Sequence, residues 1–382
     1  MCIIKASQKY FISLQKDYVS PKSLMIVIWI LCLNIYQSFP LEVIDFEMGS
    51  LVYEAYAEEE KLPYAAGVCV NEAGKMIKAG RISEAIELLE SFSSKAKDVS
   101  GEKAIQKGYS HYYIDYMLGN ALMMLEENSS SKSGSGHGEN KTLKKSSGQA
   151  YKKNSKDDFT PFLKKASQYY NNAVKKRADL APAWLNLARC QYTLGDMENA
   201  GKAFIKGYEA SAKADRKAMH LYYGAICFFQ CGDSKNQKKA SEVFGKLLSR
   251  HPSDITLEWI ESYVSILFAT GEKKKAIKYL ETLAQKTSGK RQRQWQEMLL
   301  YQYLEHKMEK RSLAYAKTLT RDNPVEPMWW RTLLHIYLDR NDYKQALNAL
   351  IIYGFLAPLT NEEQDLMENL YLSLGIPFDS RG

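Results

Sequence analysis

One spacing pattern limits what this chain can fold into more than its composition does. In APAWLNLARCQYTLGDMENAGKAFIKGYEA, Trp184 is followed by Leu187 and Ala188, and Gly195-Asp196 then breaks the run. Ala200, Phe204 and Gly207 follow at intervals of four and three. Such intervals put side chains on one face of a helix, so the stretch predicts two helices with facing stripes joined by a tight turn. The large residue wedges between the paired helices, the small ones let their backbones come close, and a glycine ends the first helix by accepting a left-handed conformation.

The arrangement recurs along the chain. Tyr263 and Val264 precede Gly271, Ala276, Leu280 and Leu283. Trp295, Leu299 and Leu300 precede Ser312, Ala316 and Leu319; Trp330, Leu333 and Tyr337 precede Asn341-Asp342, Ala346 and Leu350. Upstream, His220, Tyr223 and Gly224 open a unit whose turn, Gly232-Asp233, reads about four residues too long before register returns at Ala240, Phe244 and Leu247. Met76 and Gly80 with Ala85 and Leu89 read as a weaker first repeat, and Glu362 to Leu374 as a closing helix without a partner. Wedge positions at 184, 220, 260, 296, 330 and 364 step by 36, 40, 36, 34 and 34. A period in this range marks stacked repeats. The pattern resembles the tetratricopeptide repeat (TPR), whose two antiparallel helices occupy about 34 residues. The resemblance covers about residues 65 to 377. It implies an all-α, right-handed superhelical solenoid of about six to seven helical hairpins plus a C-terminal capping helix.

Three departures from the array set the expected organisation. Ser110–Glu127 and Phe159–Ala178 read as the two helices of one repeat, yet the Ser/Gly/Lys-rich stretch 128–156 lies between them. Such a composition buries too little apolar surface to offset its ordering entropy, so a disordered basic insertion is expected within a single hairpin. Seven lysines against Glu139 give it +6 of the chain's +8, which leaves about +2 elsewhere and argues against nucleic acid as a partner. At the N-terminus, the uncharged run Leu24–Tyr36 follows Lys5, Lys9, Lys16 and Lys22 and precedes Glu42, Asp45 and Glu47. That order predicts export, through a cleaved signal peptide or an uncleaved anchor extended to about Pro40, which would be the chain's membrane contact. The expected divisions are 1–57 for this segment, 58–377 for the solenoid and 378–382 for a tail.

Catalytic, cofactor-binding and metal-binding residues are not expected. The six histidines are scattered without HExxH spacing, and P-loop, GxGxxG and GxSxG motifs are missing. Cys227 and Cys231 share a helix face with no second pair nearby, so they read as small core residues. What remains is a surface. The TPR resemblance implies that first helices line a concave groove where ligand peptides lie. On the predicted register the groove begins with Tyr113, Tyr116, Met123 and Met124, continues through Arg189 and Tyr192, then Leu221, Phe228 and Phe229. It becomes more acidic with Glu258, Glu261, Glu297, Tyr301 and Glu305 before Arg331. An aromatic and Met-rich half followed by a carboxylate-rich half predicts a protein or peptide partner with an apolar and a basic part.

The C-terminal stretch carries a narrower likeness. Its W-x-x-L-x-x-x-Y-L helix (Trp330, Leu333, Tyr337, Leu338), the link Gly354 to Glu363 and the final Leu374-Gly375-Ile376-Pro377 resemble exported bacterial TPR proteins associated with Ton-type energy-transducing systems. That resemblance implies a non-catalytic periplasmic scaffold next to an inner-membrane energy-transducing complex. An assembly or chaperone factor for outer-membrane or secreted proteins is the other reading. Because loop closure costs little more for a long loop than for a short one, removing 128–156 is expected to leave the helical circular-dichroism signal and a cooperative melt intact.

Overall fold

The computed structural model describes residues 62–132 and 160–377, and every regular element among them is helical. The Leu24–Tyr36 run, most of the lysine-rich stretch and residues 378–382 lie outside the described residues. Contacts divide the chain into two compact units that meet in sequence at Ile255 and Thr256.

The first unit contains α1 (Tyr64–Lys78), α2 (Ile82–Ser94), a short α3 (Gly101–Lys107), α4 (Tyr112–Lys132) and α5 (Thr160–Lys176). It continues with α6 (Ala181–Thr193), α7 (Met197–Ala210), α8 (Ala218–Gln230) and α9 (Ser234–Arg250). They pair as hairpins, α1 with α2, α4 with α5, α6 with α7 and α8 with α9. The second unit pairs α10 (Leu257–Ala269) with α11 (Lys273–Lys286), α12 (Gly289–Glu305) with α13 (Glu309–Asp322), and α14 (Pro327–Asp339) with α15 (Tyr343–Leu356). A last helix, α16 (Asn361–Ser373), packs on α15.

One backbone conformation makes each described hairpin turn. Gly80, Gly195, Gly232 and Gly271 have φ of 77°, 83°, 78° and 75°, while Lys307 and Asn341 hold the same place at 53° and 57°. Gly195 N donates to Tyr192 O (3.0 Å) and Asp196 N to Gln191 O (2.8 Å); Lys307 N donates to Leu304 O (3.0 Å) and Met308 N to Tyr303 O (2.8 Å). The paired bonds satisfy carbonyls that the end of a helix would otherwise leave open. Trp184, Leu221, Ile260 and Trp330 each stand eleven residues before their turn residue. The second wedge is therefore Leu221, which is buried, and not His220. The overlong turn expected at Gly232 is also corrected. Gly232 has the common turn geometry, and the additional residues lengthen α9 to 17 where α7, α11, α13 and α15 have 14.

Helices α4 and α5 pack as one hairpin. A Cβ on Gly119 would come within 2.6 Å of the Tyr170 ring, which is fully buried, and Tyr170 Oη donates to Asn120 Oδ1 (2.8 Å). Lys176 pairs with the buried Asp115 across the same helices. Helix α4 continues to Lys132, so Asn128 to Lys132 are helical where loop was expected.

The second unit closes on a buried carboxylate. Glu363 Oε2 accepts from Thr360 N (2.9 Å) while Thr360 Oγ1 accepts from Glu363 N (3.3 Å), a capping box that starts α16. The other oxygen, Oε1, lies 2.7 Å from Arg331 Nε of α14, an ion pair without hydrogen-bond alignment, and Glu363 is only 1% exposed. Arg331 also sits 5.8 Å over the Tyr353 ring.

Two stability outcomes follow from these local geometries. Lys307→Gly relieves a left-handed non-glycine residue and is expected to stabilise by about 0.5–1 kcal/mol in urea unfolding. Asn341→Gly should change less, because asparagine tolerates that conformation. Glu363→Ala removes the cap and strands Arg331, at an expected cost of about 2–4 kcal/mol, with faster amide exchange across α16; the exposed Glu362→Ala should leave both unchanged.

Candidate partner surfaces on the first helices

In the first unit, side chains expected in the groove separate into two groups. Tyr113, Tyr116, Met123, Leu221 and Phe228 are all buried, at 1–6% exposed, and form part of the packing between helices. Tyr116 stacks against Tyr170, Met123 Sδ lies 3.3 Å from Cys190 Sγ, and Phe228 meets the space above Gly201 with the Lys239 ammonium 5.2 Å over its ring. These five residues are corrected from partner surface to core. Tyr116 is covered by α5, Met123 by α6 and Phe228 by α7 and α9, so a position one turn off the hairpin seam is still enclosed by other helices. Leu185 is likewise occupied, since it fills the space that a Cβ on Gly207 would need.

Met124, Arg189, Tyr192 and Phe229 are half-buried and keep exposed surface. Arg189 and Tyr192 are three residues apart on α6, and Phe229 holds on α8 the place of Tyr192, three residues before the turn glycine. A hydrogen-bonded network also joins α4, α5 and α6. Asn120 Oδ1 accepts from Tyr170 Oη (2.8 Å) and Asn186 Nδ2 (3.0 Å), and Asn186 Nδ2 is 3.3 Å from Tyr170 Oη. Burial pushes the Tyr170 hydroxyl far above its usual pKa, so it remains a donor. Sequence reading missed this network because two asparagines and a tyrosine form no motif.

In the second unit, the carboxylate-rich face does not carry free charge. Arg291 of α12 grips Glu261 of α10 with two nitrogens, Nε to Oε1 at 2.7 Å, and Trp295 Nε1 donates to the same Oε1 (3.1 Å). Arg291 also approaches Glu258 at 3.9 Å. Arg293 binds Glu297 (3.0 Å) and Glu326 at the start of α14 (2.6 Å), and Lys273 binds Glu305 (2.9 Å). Arg331 is committed to Glu363. Tyr301 is half-buried, its hydroxyl pKa raised by burial and by Glu305. The expected acidic stretch is thus neutralised by arginines from the first turns of α12. At 17 residues, α12 exceeds the 13 of α10 and α14, and its added turn bears Arg291 and Arg293.

Burial pulls His220 down to about 4, and burial with the Arg331 charge pulls His335 down to about 3, so both are neutral at neutral pH. Cys231 Sγ points at Cys227 O (3.4 Å), and burial raises the Cys227 thiol pKa strongly. Among the described residues, no three His, Cys, Asp or Glu side chains are grouped to hold a metal ion.

Residues 163–218, spanning α5 to the start of α8, match the tetratricopeptide repeat family. No curated protein matches the chain. Among solved structures, it is similar to YrrB, described as a TPR protein with an unusual peptide-binding site, at 15% identity over 53% of this chain and 99% of that one (TM-score 0.33). It is also similar to a tetratricopeptide repeat protein from Parabacteroides merdae, at 12% identity over 80% and 98% (TM-score 0.35), and to the P58(IPK) TPR domain, at 8% over 81% and 98% (TM-score 0.25). The fold itself is all-α and built of TPR-type hairpins, an architecture that serves as a protein-interaction scaffold.

Proposed function

We propose that the chain is a non-catalytic periplasmic scaffold that holds a peptide segment of a protein partner on the first helices of its first unit. The observation that carries this reading is the half-buried set Met124, Arg189, Tyr192 and Phe229 on the first helices α4, α6 and α8, of which α4 and α6 are joined by the Asn120–Tyr170–Asn186 network. Aromatic and thioether surface takes apolar side chains. That network fixes α4 and α6, which carry Met124, Arg189 and Tyr192, and so lowers the ordering cost of binding. The glutamates of α10 and α12 are internally paired and so do not call for a basic partner.

The Ton-type setting is supported by the C-terminal likeness, and export by the basic residues that precede Leu24–Tyr36. Crosslinking in cells followed by recovery of the tagged full chain tests both. Subunits of an inner-membrane energy-transducing complex are expected in the recovered material. Arg189→Glu combined with Tyr192→Ala should reduce them at least about tenfold, a loss of roughly 1.4 kcal/mol. Recovery of diverse unfolded exported proteins, undiminished by the double substitution, would sink this reading in favour of a chaperone role.

A further inference from the structure

The second unit contains a cleft of about 420 Å³ between α14 and α15. Trp330, Leu333 and Tyr337 form one wall, spaced so that they share a face of α14. Ala349, Ile351 and Ile352 form the other, and the amides of Gln345 and Asn348 stand at its edge. No carboxylate lines it. Two cations flank it instead. Lys317 of α13 places its ammonium 5.7 Å over the Tyr337 ring, and Lys344 lies one helical turn before Asn348. Both lysines are exposed, and neither has an ion-pair partner among the described residues. The apolar stripe continues past the cleft to Phe355, which is 85% exposed, one turn beyond Ile351. An apolar cleft with such an extension is surface that a soluble unit covers when it can.

The same unit displays a surface of matching chemistry. Helix α16 turns Glu363 and Leu370 inward, and its outer face presents Asp365, Glu368 and Leu372 at intervals of three and four. Leu372 is 74% exposed. Asp365 and Glu368 have no cationic partner among the described residues, whereas Glu258, Glu261, Glu297, Glu305 and Glu326 each do. So α16 offers an apolar anchor preceded on the same face by two uncommitted carboxylates. The cleft offers an apolar slot flanked by two ammonium groups without a carboxylate partner among the described residues, one of them resting over the Tyr337 ring.

We propose that the α14–α15 cleft is a self-association site that takes the outer face of α16 from a second copy of this chain. Leu372 enters between Trp330, Tyr337 and Ile352, and Glu368 and Asp365 reach Lys317 and Lys344. This surface is separate from the first-helix face assigned to the partner peptide, and its residues are not shared with that face. Both complementary elements belong to the end of the second unit, as a two-fold contact of identical patches requires.

Sedimentation velocity on the full chain across a wide concentration range tests this assignment. A reversible monomer–dimer equilibrium is expected, weakened about tenfold by Leu372→Ser and about tenfold by Lys317→Glu. Both sites are exposed, and unchanged circular dichroism checks that the variants stay folded. The exchange Lys317→Glu with Glu368→Lys should recover most of the association lost in Lys317→Glu alone. A monomer at every concentration overturns the proposal. So does a dimer indifferent to the single substitutions, or an exchange variant no stronger than Lys317→Glu. If the monomeric protein instead fills the cleft with an acidic segment of another protein, the second-copy assignment is also overturned.

Discussion

Register in each hairpin whose turn is described is set by the residue that takes a left-handed conformation at the end of the first helix. It fixes the angle at which the second helix returns, and with it which side chains can meet. Five residues later stand Ala85, Ala200, Ala276, Ser312 and Ala346, all buried and all small. They let the two backbones approach, and the wedge residue eleven positions before the turn fills the opening that the approach leaves. The hairpin from Gly232 shows that the constraint belongs to the seam and not to chain length. There the second helix adds about a turn, and its small buried residue moves to Ala240 with the seam intact.

On that common frame the two units satisfy the polar groups of their first helices by different chemistry. The first unit joins α4 to α6 through neutral groups, with Asn120, Tyr170 and Asn186 hydrogen-bonded among buried aromatics, beside the Lys176–Asp115 ion pair inside the α4–α5 hairpin. Neutral networks with every partner in place fix a core without the desolvation cost of charge. The second unit uses charge, with Glu261–Arg291, Arg293–Glu326 and Arg331–Glu363 linking α10 to α12, α12 to α14 and α14 to α16. Each half-exposed pair contributes little alone, about 0–1 kcal/mol, but each joins a different neighbouring pair of first helices, so together they hold the order of the stack. The buried Glu363 is the exception in magnitude, since it has lost nearly all contact with water.

The repeat was legible in the sequence because helical periodicity and turn glycines are local signals. Trp184, Ala188, Gly195 and Ala200 lie within one hairpin, and no distant contact is needed to read them. The turn at Asn341 was named from the sequence, whereas the one at Lys307 was not, since lysine gives no hint of a positive φ. The partner surface was legible only in part. Whether Tyr116 or Phe228 faces water depends on the repeat beside it, which periodicity within one helix cannot report. The acidic stretch misled for the same reason. Glu261 reads as a free groove carboxylate until Arg291, thirty residues on, folds back onto it. The net charge concealed structure too: α5 carries four lysines and no acid, and α16 four acids and no cation, which cancel in a sum.

Those pairings decide what kind of ligand each unit can take. A basic peptide approaching Glu261 would have to displace a two-nitrogen arginine contact and the Trp295 indole hydrogen bond. It would then strand the Arg291 guanidinium, so the exchange gains no net pairing. Apolar surface needs no such exchange: covering the exposed parts of Phe229 and Met124 releases water. Recognition by the second unit is then left to groups outside its ion-pair chain. Those are the aromatic cleft of α14 and α15 and the outward carboxylates of α16, which the closing helix leaves in solvent because its own inward carboxylate has already been spent on Arg331.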